Sequence, residues 1–374
     1  LEDVVVVAYG VRKKGTIAGS VSTVKSDAIA DTPAASFDQA LQGKATGLMV
    51  LSNSGEPSAT ASFQIRGTNS INSGTSPLFI LDGIPISASD FNAISPNDIE
   101  SVSVLKDASS TSIYGARAAN GVVVITTKRG RIAQNARITL RTQAGFSQIA
   151  GSKWNLMNTA ERIQYEQEVG LTDGKNYEKL AKTDVNWLNE VFNKYAPLQN
   201  YEIQASGATD KLNYYVSGGY YSQDGTTADS DFNRYNFRVN LEAQAKKWLK
   251  IGTNSMLAYE KYDESVEGVY AVNTPIAAAR FMLPYWNTYR PDGSIASIND
   301  GSRKGLGENP LEWSRNNPYT TKKYKAIANM FAEATIIHGL VLKVQGGVDS
   351  VFYTNLRAHN AGRHLVLRFL PEKK

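Results

Sequence analysis

The chain has 374 residues, a formal net charge of +5 and no cysteine, and 42% of its residues are hydrophobic. No segment approaches the roughly 18 consecutive apolar residues of a membrane-spanning helix, so the chain is not a bundle of such helices. Basic and acidic residues are mixed throughout, which argues against nucleic acid as a partner. The lack of cysteine excludes disulfides and thiolate chemistry within this sequence.

The first ten residues, LEDVVVVAYG, contain four consecutive valines, Val4 to Val7. β-branched residues favour an extended backbone, and this run is apolar on both faces. Such a strand needs either a place inside a sheet or a partner chain to which it adds as an extra strand. Both alternatives stay open from the residues. The glycines and lysines that follow predict a flexible tether up to residue 15.

Residues 16 to 130 predict an α+β domain built from short strands. Apolar runs separated by turn residues predict five strands, at 47–51, 62–67, 77–83, 99–106 and 121–127. Asp82 and Gly83 stand between two apolar runs, Leu78–Leu81 and Ile84–Ile86. This pattern predicts a hairpin closed by a type I′ turn, in which both central residues have positive φ.

Two short helices are predicted between these strands. Ser36 and Gln39 have the spacing of a capping box, and Asp107 can cap the segment DASSTSIYG. Each segment then reaches a glycine, Gly43 in the first and Gly115 in the second. A glycine at this place is typical of a helix end.

From residue 131 onward the pattern changes to long segments of strict alternation. In YNFRVNLEAQAKKW, Tyr235, Phe237 and Val239 point to one face, while Asn236 and Arg238 point to the other. Several segments approach the roughly 9–11 residues of a transmembrane strand. This length favours an antiparallel transmembrane β-barrel over a soluble β-sandwich, the alternative from the residues alone. About seven such segments occur, at 137–146, 201–207, 212–222, 235–248, 249–261, 327–336 and 340–353.

The connections between these segments alternate in length. Short turns are predicted at 207–211 and 246–249, and long loops at 150–197, 223–234 and 262–325. Outer-membrane barrels place long loops outside the cell and short turns in the periplasm, with aromatic girdles at both interfaces. The aromatic residues near predicted strand ends, and hence the girdle candidates, are Tyr220, Tyr221, Tyr235, Trp248, Tyr259 and Tyr262.

Nothing in the sequence supports catalysis. The three histidines, His338, His359 and His364, form no HExxH arrangement, and no nucleophile can be paired with a base from spacing. The glycine-flanked segment GARAANG at 115–121 has neither the lysine of a P-loop nor the GxGxxG spacing. We predict no catalytic residue, no metal site and no cofactor, and therefore no enzyme.

Two stretches carry a family resemblance, at residues 40–86 and 95–130. The motifs LQG, IRG, LDG, VLKDASSTSIYGARAANG and ITTK follow one another there in this order. Together they closely resemble the plug domain of SusC/RagA-type TonB-dependent outer-membrane transporters. The segment NYEIQASGATDKLNYYVSGGYYSQDG at 200–225 is similar to the beginning of the family's barrel.

The resemblance implies an α+β plug domain followed by antiparallel transmembrane β-barrel strands, in a complete barrel of about 22 strands. It implies import of oligosaccharides, or in some members oligopeptides, across the outer membrane of a Gram-negative bacterium. The implied partners are TonB, within the TonB–ExbB–ExbD complex, a SusD-like surface lipoprotein and outer-membrane lipid. Because about seven strands cannot close such a barrel without leaving backbone groups unsatisfied in lipid, we expect an N-terminal portion of a longer transporter. The other possibility is a truncated surface protein that does not transport.

The resemblance also assigns domains and residues. Residues 1–15 form a TonB-box-like segment and tether, 16–130 the plug, and 131–374 the first strands and extracellular loops of an incomplete barrel. The plug-motif residues are expected either to form plug–barrel ion pairs that break during transport or to support the fold statically. The candidates for TonB contact are Asp3, Val4, Val5, Val6, Val7 and Tyr9. The plug-motif candidates are Arg66, Gly67, Asp82, Gly83, Lys106, Asp107, Tyr114 and Arg117.

Overall fold

The structure is a computed structural model of the 374-residue chain. It describes residues 4–7, 10–13, 21–30, 36–51, 56–57, 59–67, 74–107, 111–130, 135–149, 155–172, 174–264, 279–297, 309–316, 318–337 and 339–357. These residues form an N-terminal hairpin, a domain of short strands and a sheet of long strands. We call the domain of short strands (residues 21–130) the plug and the sheet of long strands (137–357) the wall.

The valine run is a strand, as its composition predicts. β1 (Val4–Val7) pairs antiparallel with β2 (Gly10–Lys13), with Val4 opposite Lys13 and Val7 opposite Gly10. The segment therefore pairs with residues that follow it closely in the chain and is separate from the plug's main sheet. Asp3 and Tyr9 lie outside the described residues.

All five predicted strands of the plug are present. Its strands are β3 (Val21–Lys25), β4 (Leu48–Leu51), β5 (Ser62–Ile65), β6 (Leu78–Leu81), β7 (Ile84–Ile86), β8 (Ile99–Leu105) and β9 (Val122–Thr127). β4 and β5 form a hairpin of their own. The other five form a mixed sheet in the order β3, β8, β9, β6, β7, in which only the β6–β9 pair is parallel.

Four phenylalanines fill the centre of the plug. Phe37, Phe63, Phe79 and Phe91 are buried and meet edge to face, with ring centroids 4.7 to 5.3 Å apart. Edge-to-face contact places the positive edge of one ring on the negative face of the next. The plug therefore has an apolar core made mainly of its own side chains.

The helices of the plug are short. They are α1 (Ser26–Ala30), α2 (Phe37–Leu41) and the 3₁₀ helices Ala88–Ala93, Pro96–Asp98, Ser112–Tyr114 and Ala116–Ala118. The predicted capping box at α2 is wrong, because the Ser36 hydroxyl donates to the carboxylate of Asp38. Asp38 also accepts a hydrogen bond from the backbone N–H of Ala61 at 2.7 Å. The carboxylate of Asp107, predicted to cap the segment that follows it, is paired with Arg66. Residues 108–110, which such a cap would contact, lie outside the described residues.

Among the residues that the structure describes, the wall has seven strands, which is the number predicted. They are β10 (Arg137–Ser147), β11 (Ala196–Ala208), β12 (Leu212–Asp224), β13 (Asp231–Lys246), β14 (Leu249–Glu264), β15 (Tyr319–Ile337) and β16 (Leu340–Arg357). Each pairs antiparallel with the next. β15 begins eight residues before its predicted start, and the predicted loop 223–234 shrinks to 225–230. Polar residues that face the plug hid these strand ends from a search for apolar periodicity.

The two faces of the wall differ in chemistry, as the alternation predicts. Phe237, Leu257 and Met330 point outward and are 48%, 58% and 68% exposed, whereas Arg238 and Lys325 point inward and are 2% and 3% exposed. This distribution is the reverse of that in a water-soluble protein. It matches a sheet with lipid outside and a polar filling inside.

Aromatic residues cross the outer face of the wall in one row. Neighbouring rings lie 4.8 Å apart for Tyr220 and Tyr235, and 4.9 Å apart for Tyr259 and Tyr324. The row lies at the end of the wall that carries the long loops, where a girdle was predicted. The prediction that Tyr221 and Tyr262 belong to this row is wrong, because both side chains point inward and are buried. The row consists of residues that stand opposite one another on successive strands, namely Tyr201, Tyr220, Tyr235, Tyr259, Tyr324 and Phe352.

The described parts of the long loops contain four helices, α3 (Thr159–Glu168), α4 (Tyr177–Leu180), α5 (Trp187–Val191) and α6 (Pro310–Asn316). We call the buried group formed by Trp187, Val191, Ala279, Met282, Tyr285 and Trp286 the outer cluster. In the described part of the chain, no helix is long and apolar enough to cross a membrane.

A buried carboxylate ties the outer cluster together. Glu166 accepts hydrogen bonds from Arg162 at 2.8 Å, Lys175 at 2.7 Å and Tyr285 at 2.8 Å. Burial alone raises the pKa of Glu166, but these three bonds outweigh it and hold the pKa below its usual value. Burial and the hydrogen bond to Glu166 raise the pKa of the Tyr285 hydroxyl. Glu166 is therefore an anion that links α3 to the segment around Tyr285.

Candidate functional site

The predicted Asp82–Gly83 turn lies where the plug meets the wall. Both residues have positive φ, 48° and 92°, as a type I′ turn requires. The Asp82 carboxylate accepts bonds from the backbone N–H and the hydroxyl of Thr127 at 3.0 and 2.7 Å. Its backbone carbonyl accepts bonds from two wall amides, Asn329 at 2.9 Å and Gln345 at 2.8 Å. Of the plug-motif candidates, this pair therefore joins the plug to the wall.

The other plug-motif candidates lie within the plug. Arg66 pairs with Asp107 at 2.6 Å, and Arg66 and Gly67 both have positive φ, 58° and 90°. Lys106 lies over the glycine at position 47, Tyr114 packs against a buried apolar group of the plug, and Arg117 is exposed. These placements are those of residues that support the plug's own structure.

Asp98, which motif spacing did not single out, is the centre of the plug–wall contact. Its carboxylate accepts hydrogen bonds from the hydroxyls of Tyr215 at 2.8 Å and Ser217 at 2.6 Å. The guanidinium of Arg238 lies 3.4 Å from Asp98 and 3.7 Å from Asp82. All of these residues are buried or nearly so, and the wall residues come from β12 and β13.

In a second plug–wall contact, the carboxylate belongs to the wall and two of its hydrogen-bond donors belong to the plug. Glu202 belongs to the wall and accepts bonds from the plug residues Ser95 at 2.7 Å and Asn97 at 3.1 Å. Gln204, two residues along β11, donates both to Glu202 and to the backbone carbonyl of Asn97. The segment before β8 is therefore fastened to β11 by hydrogen bonds from the side chains of Ser95, Asn97 and Gln204.

Cations of the wall contact the plug along β13 and β15. Arg234 donates to the backbone carbonyl of Asn92 at 2.8 Å. Lys323 donates to the carbonyl of Ser89 at 2.6 Å, and Lys325 pairs with Asp90 at 2.8 Å. A buried charge needs such a partner, since its desolvation is otherwise uncompensated. In the sequence, each of these residues is a cation on the polar face of a long alternating strand. The local pattern does not show whether such a cation faces the plug or water.

Comparison with known proteins agrees with this architecture. Residues 13–122 match the TonB-dependent Receptor Plug Domain family. The chain is 33% identical over 358 residues to TonB-dependent receptor P3 of Formosa agariphila and 34% identical over 248 residues to TonB-dependent receptor SusC of Bacteroides thetaiotaomicron. It is also similar to the RagAB peptide importer in its open-open state, with 34% identity and a TM-score of 0.85 over 95% of this chain. The chain belongs to the SusC/RagA family of TonB-dependent receptors.

This SusC/RagA-type chain spans only part of those relatives. The match to receptor P3 includes 94% of this chain but 34% of receptor P3. The match to SusC includes 64% of this chain but 24% of SusC. This chain covers 43% of the RagAB chain. The resemblance predicted from motifs is confirmed, as is the fold of a plug followed by part of a barrel.

The comparisons also confirm two further predictions. Receptors of this type belong to the outer membrane of Gram-negative bacteria, which is the location predicted for this SusC/RagA-type chain. They are receptors and transporters rather than enzymes. Among the residues that the structure describes, no group of three or more acidic or histidine side chains is placed to hold a metal ion.

Proposed function

We propose that the protein containing this chain imports an oligomeric nutrient, by preference an oligosaccharide, across the outer membrane. TonB of the TonB–ExbB–ExbD complex supplies the energy, and a SusD-like surface lipoprotein delivers the ligand. The observation that carries the proposal is the polar contact between plug and wall, centred on Asp82, Asp90, Asp98 and Glu202.

A polar contact suits a plug that must move. Hydrogen bonds exchanged for bonds to water change the free energy by about 0.5–1.5 kcal/mol each, or by about 1.5–3 kcal/mol where one partner is charged. Separating two apolar faces instead costs about 25 cal/mol for every Å² exposed. Three wall residues, Met256, Ala258 and Ile327, join the plug's main apolar core, which otherwise consists of plug side chains. The plug can therefore part from the wall with most of its core intact.

The N-terminal hairpin supports a role for the valine run as a handle. A partner strand can add to an edge of the β1–β2 pair, or replace β2, through backbone hydrogen bonds that need little side-chain specificity. Val4 to Val7 are the residues proposed to make this contact, with Asp3 and Tyr9 beside them.

An oligopeptide is the second candidate ligand. The specific observation in its favour is the likeness to the RagAB peptide importer, with a TM-score of 0.85. Amide and hydroxyl groups at the plug–wall contact can bind the backbone of a peptide as well as the hydroxyls of a glycan. The choice between these ligands is left to experiment.

The test uses the full-length protein in cells. Deleting residues 3–7, or replacing Val5 by proline, removes backbone donors needed for strand addition, whereas Val5→Ala retains them. We expect the first two changes to abolish energised uptake of labelled oligosaccharide while surface binding persists, and Val5→Ala to transport normally. Uptake that survives the deletion contradicts the TonB assignment. Parallel assays with labelled oligopeptides decide the ligand class.

A further inference from the structure

The outer face of the wall carries a groove of ≈ 580 Å³ near its short-turn end, which we call the β15 groove. Small residues form its floor, namely Thr253 of β14, Ala332 of β15 and Gly346 of β16. A Cβ atom on Gly346 would meet nothing within 4 Å beyond its own chain neighbours, so the floor is open to the membrane. Larger apolar side chains stand beside Thr253 and Ala332 on the neighbouring strands and form the sides of the groove. They are Leu241, Ile251, Met330 and Val344.

The groove belongs to a longer trough along β15. Between Tyr324 and Ile336, four of the five outward-facing positions of this strand are alanine, and Met330 is the fifth. At roughly 3.4 Å per residue the alanines span about 27 Å, close to the roughly 30 Å of hydrocarbon in a bilayer. Met330 stands in the middle, so the β15 groove lies in the half nearer the short turns and has the length of one lipid leaflet. The alanines are Ala326, Ala328, Ala332 and Ala334.

The two short turns next to the groove are basic. Lys211, Lys246 and Lys247 are exposed there, against one acidic residue, Asp210. None of the three ammonium groups pairs with a carboxylate of a described residue. Trp248, which is 54% exposed, lies beside them, and a tryptophan at this place is typical of a membrane–water interface. The short-turn end of the groove therefore offers positive charge at the level of lipid headgroups.

A phospholipid suits these features better than a second copy of the chain. Two copies in one membrane have the same orientation, so a dimer through this face would bring the same lysines of both copies together at one level. Like charges facing each other across a contact are unfavourable. An anionic phospholipid instead places its phosphate among the lysines and an acyl chain along the alanines. Because lipid tails are as apolar as leucine, close packing and headgroup charge decide which molecule occupies such a groove.

We propose that the β15 groove binds one anionic glycerophospholipid from the periplasmic leaflet of the outer membrane. The short turns of an outer-membrane barrel lie on the periplasmic side, at the headgroups of this leaflet. One acyl chain lies over Thr253 and Ala332 and reaches Gly346, and the phosphate pairs with Lys246 and Lys247. The inference rests on the location of the wall in the membrane and not on the proposed import.

Native mass spectrometry of the full-length protein in detergent tests the role of the charge. The protein is titrated with phosphatidylglycerol and, separately, with phosphatidylcholine of the same acyl chains, which carries no net charge. Lys246→Gln combined with Lys247→Gln should weaken phosphatidylglycerol binding about 30-fold, at roughly fivefold per lysine, and leave phosphatidylcholine binding unchanged. Lys179→Gln combined with Lys182→Gln removes the same charge from exposed positions of the long loops and should change neither. Equal effects of the two pairs overturn the headgroup assignment.

Filling the groove tests the place of the acyl chain. Gly346→Leu puts a side chain on the floor, and we expect it to lower the affinity for both lipids at least tenfold. The matched control is Gly218→Leu, at an outward-facing position of β12 where an added Cβ atom would lie 4.0 Å from the ring of Phe237. Thr253 is left unchanged, because its hydroxyl donates to the backbone carbonyl of Asn329 at 2.9 Å. Thermal unfolding checks that both variants fold.

Two outcomes overturn the acyl-chain assignment directly, namely lipid binding that Gly346→Leu leaves unchanged and lipid binding that Gly218→Leu weakens equally. A dimer that dissociates in Gly346→Leu, with no lipid bound to the unaltered protein, would assign this face to a second copy and also overturn the inference. These measurements involve no transport. A protein that binds the lipid but imports neither an oligosaccharide nor an oligopeptide therefore refutes the proposed function and leaves the β15 groove as a lipid site.

Discussion

Replacing Asp98 by alanine removes the most connected carboxylate of the plug–wall contact. The substitution deletes the acceptor for the hydroxyls of Tyr215 and Ser217. It also leaves Arg238, which is 2% exposed, with Asp82 at 3.7 Å as its remaining carboxylate in the contact. The change therefore leaves two buried hydroxyls without this acceptor and the buried guanidinium of Arg238 with one carboxylate fewer.

The magnitude follows from these partners. Each hydrogen bond to a charged group is worth about 1.5–3 kcal/mol, but bonds to one carboxylate share its desolvation and do not add. Removing one partner of a buried ion pair costs about 3–5 kcal/mol. Because 1.4 kcal/mol is a factor of ten, local separation of plug from wall becomes about 10²- to 4 × 10³-fold more populated.

Hydrogen exchange of the full-length protein in lipid nanodiscs measures this separation. The backbone N–H of Asp98 donates to Ser95, and that of Lys128 donates to the carbonyl of Asp98, so both amides report on the affected corner. We expect their protection to fall by the factor given above in Asp98→Ala. Asp98→Asn keeps an acceptor without the charge and gives an intermediate fall.

Asp210→Ala serves as the control, because this aspartate is exposed in a short turn of the wall. Surface changes of this kind usually stay within about 0.5 kcal/mol. If Asp98→Ala exchanges at the rate of the control, the carboxylate does not hold the plug and the reasoning fails.

Three further predictions concern other parts of the fold. Gly347→Val places a Cβ atom 1.8 Å from the Cδ1 atom of Ile84, so we expect a loss of about 1–3 kcal/mol in thermal unfolding, while Gly346→Val, with nothing within 4 Å, is tolerated. The pKa of Glu166 in the folded protein is below its usual value, so the stabilisation that Glu166 contributes is complete above its pKa in the unfolded chain and is lost as the pH falls through its pKa in the folded protein. Tryptophan fluorescence of the outer cluster should therefore change in that acid range in the native protein and not in Glu166→Gln. Met330→Arg places a charge on the outer face and should cost about 2–4 kcal/mol in folding titrations into vesicles, unlike Met330→Leu.

Local chemistry made much of the fold predictable. The Asp82–Gly83 turn was identifiable because two residues with positive φ between apolar runs leave few alternatives. The wall was identifiable because a sheet with lipid on one face imposes a period of two along every strand. The order and number of the wall strands followed from these patterns, whereas the plug strand β3 (Val21–Lys25) was not predicted.

Helix caps and aromatic positions show where local chemistry was insufficient. Ser36 has the position of a capping-box residue, but its hydroxyl donates to the carboxylate of Asp38, which also accepts the backbone N–H of Ala61. Tyr221 lies next to the girdle residue Tyr220, yet one step along a strand turns its ring to the opposite face.

The sequence by itself determined that this protein has a plug of short strands and a wall of two-faced strands, because turn chemistry and hydrophobic period act over a few residues. Only the tertiary structure decided which polar side chains hold the two together. Asp98 meets Tyr215 across 117 positions of the chain, and Asp90 meets Lys325 across a still longer interval. An inward charge buried by the plug and a charge facing water have the same local pattern, so only packing distinguishes them.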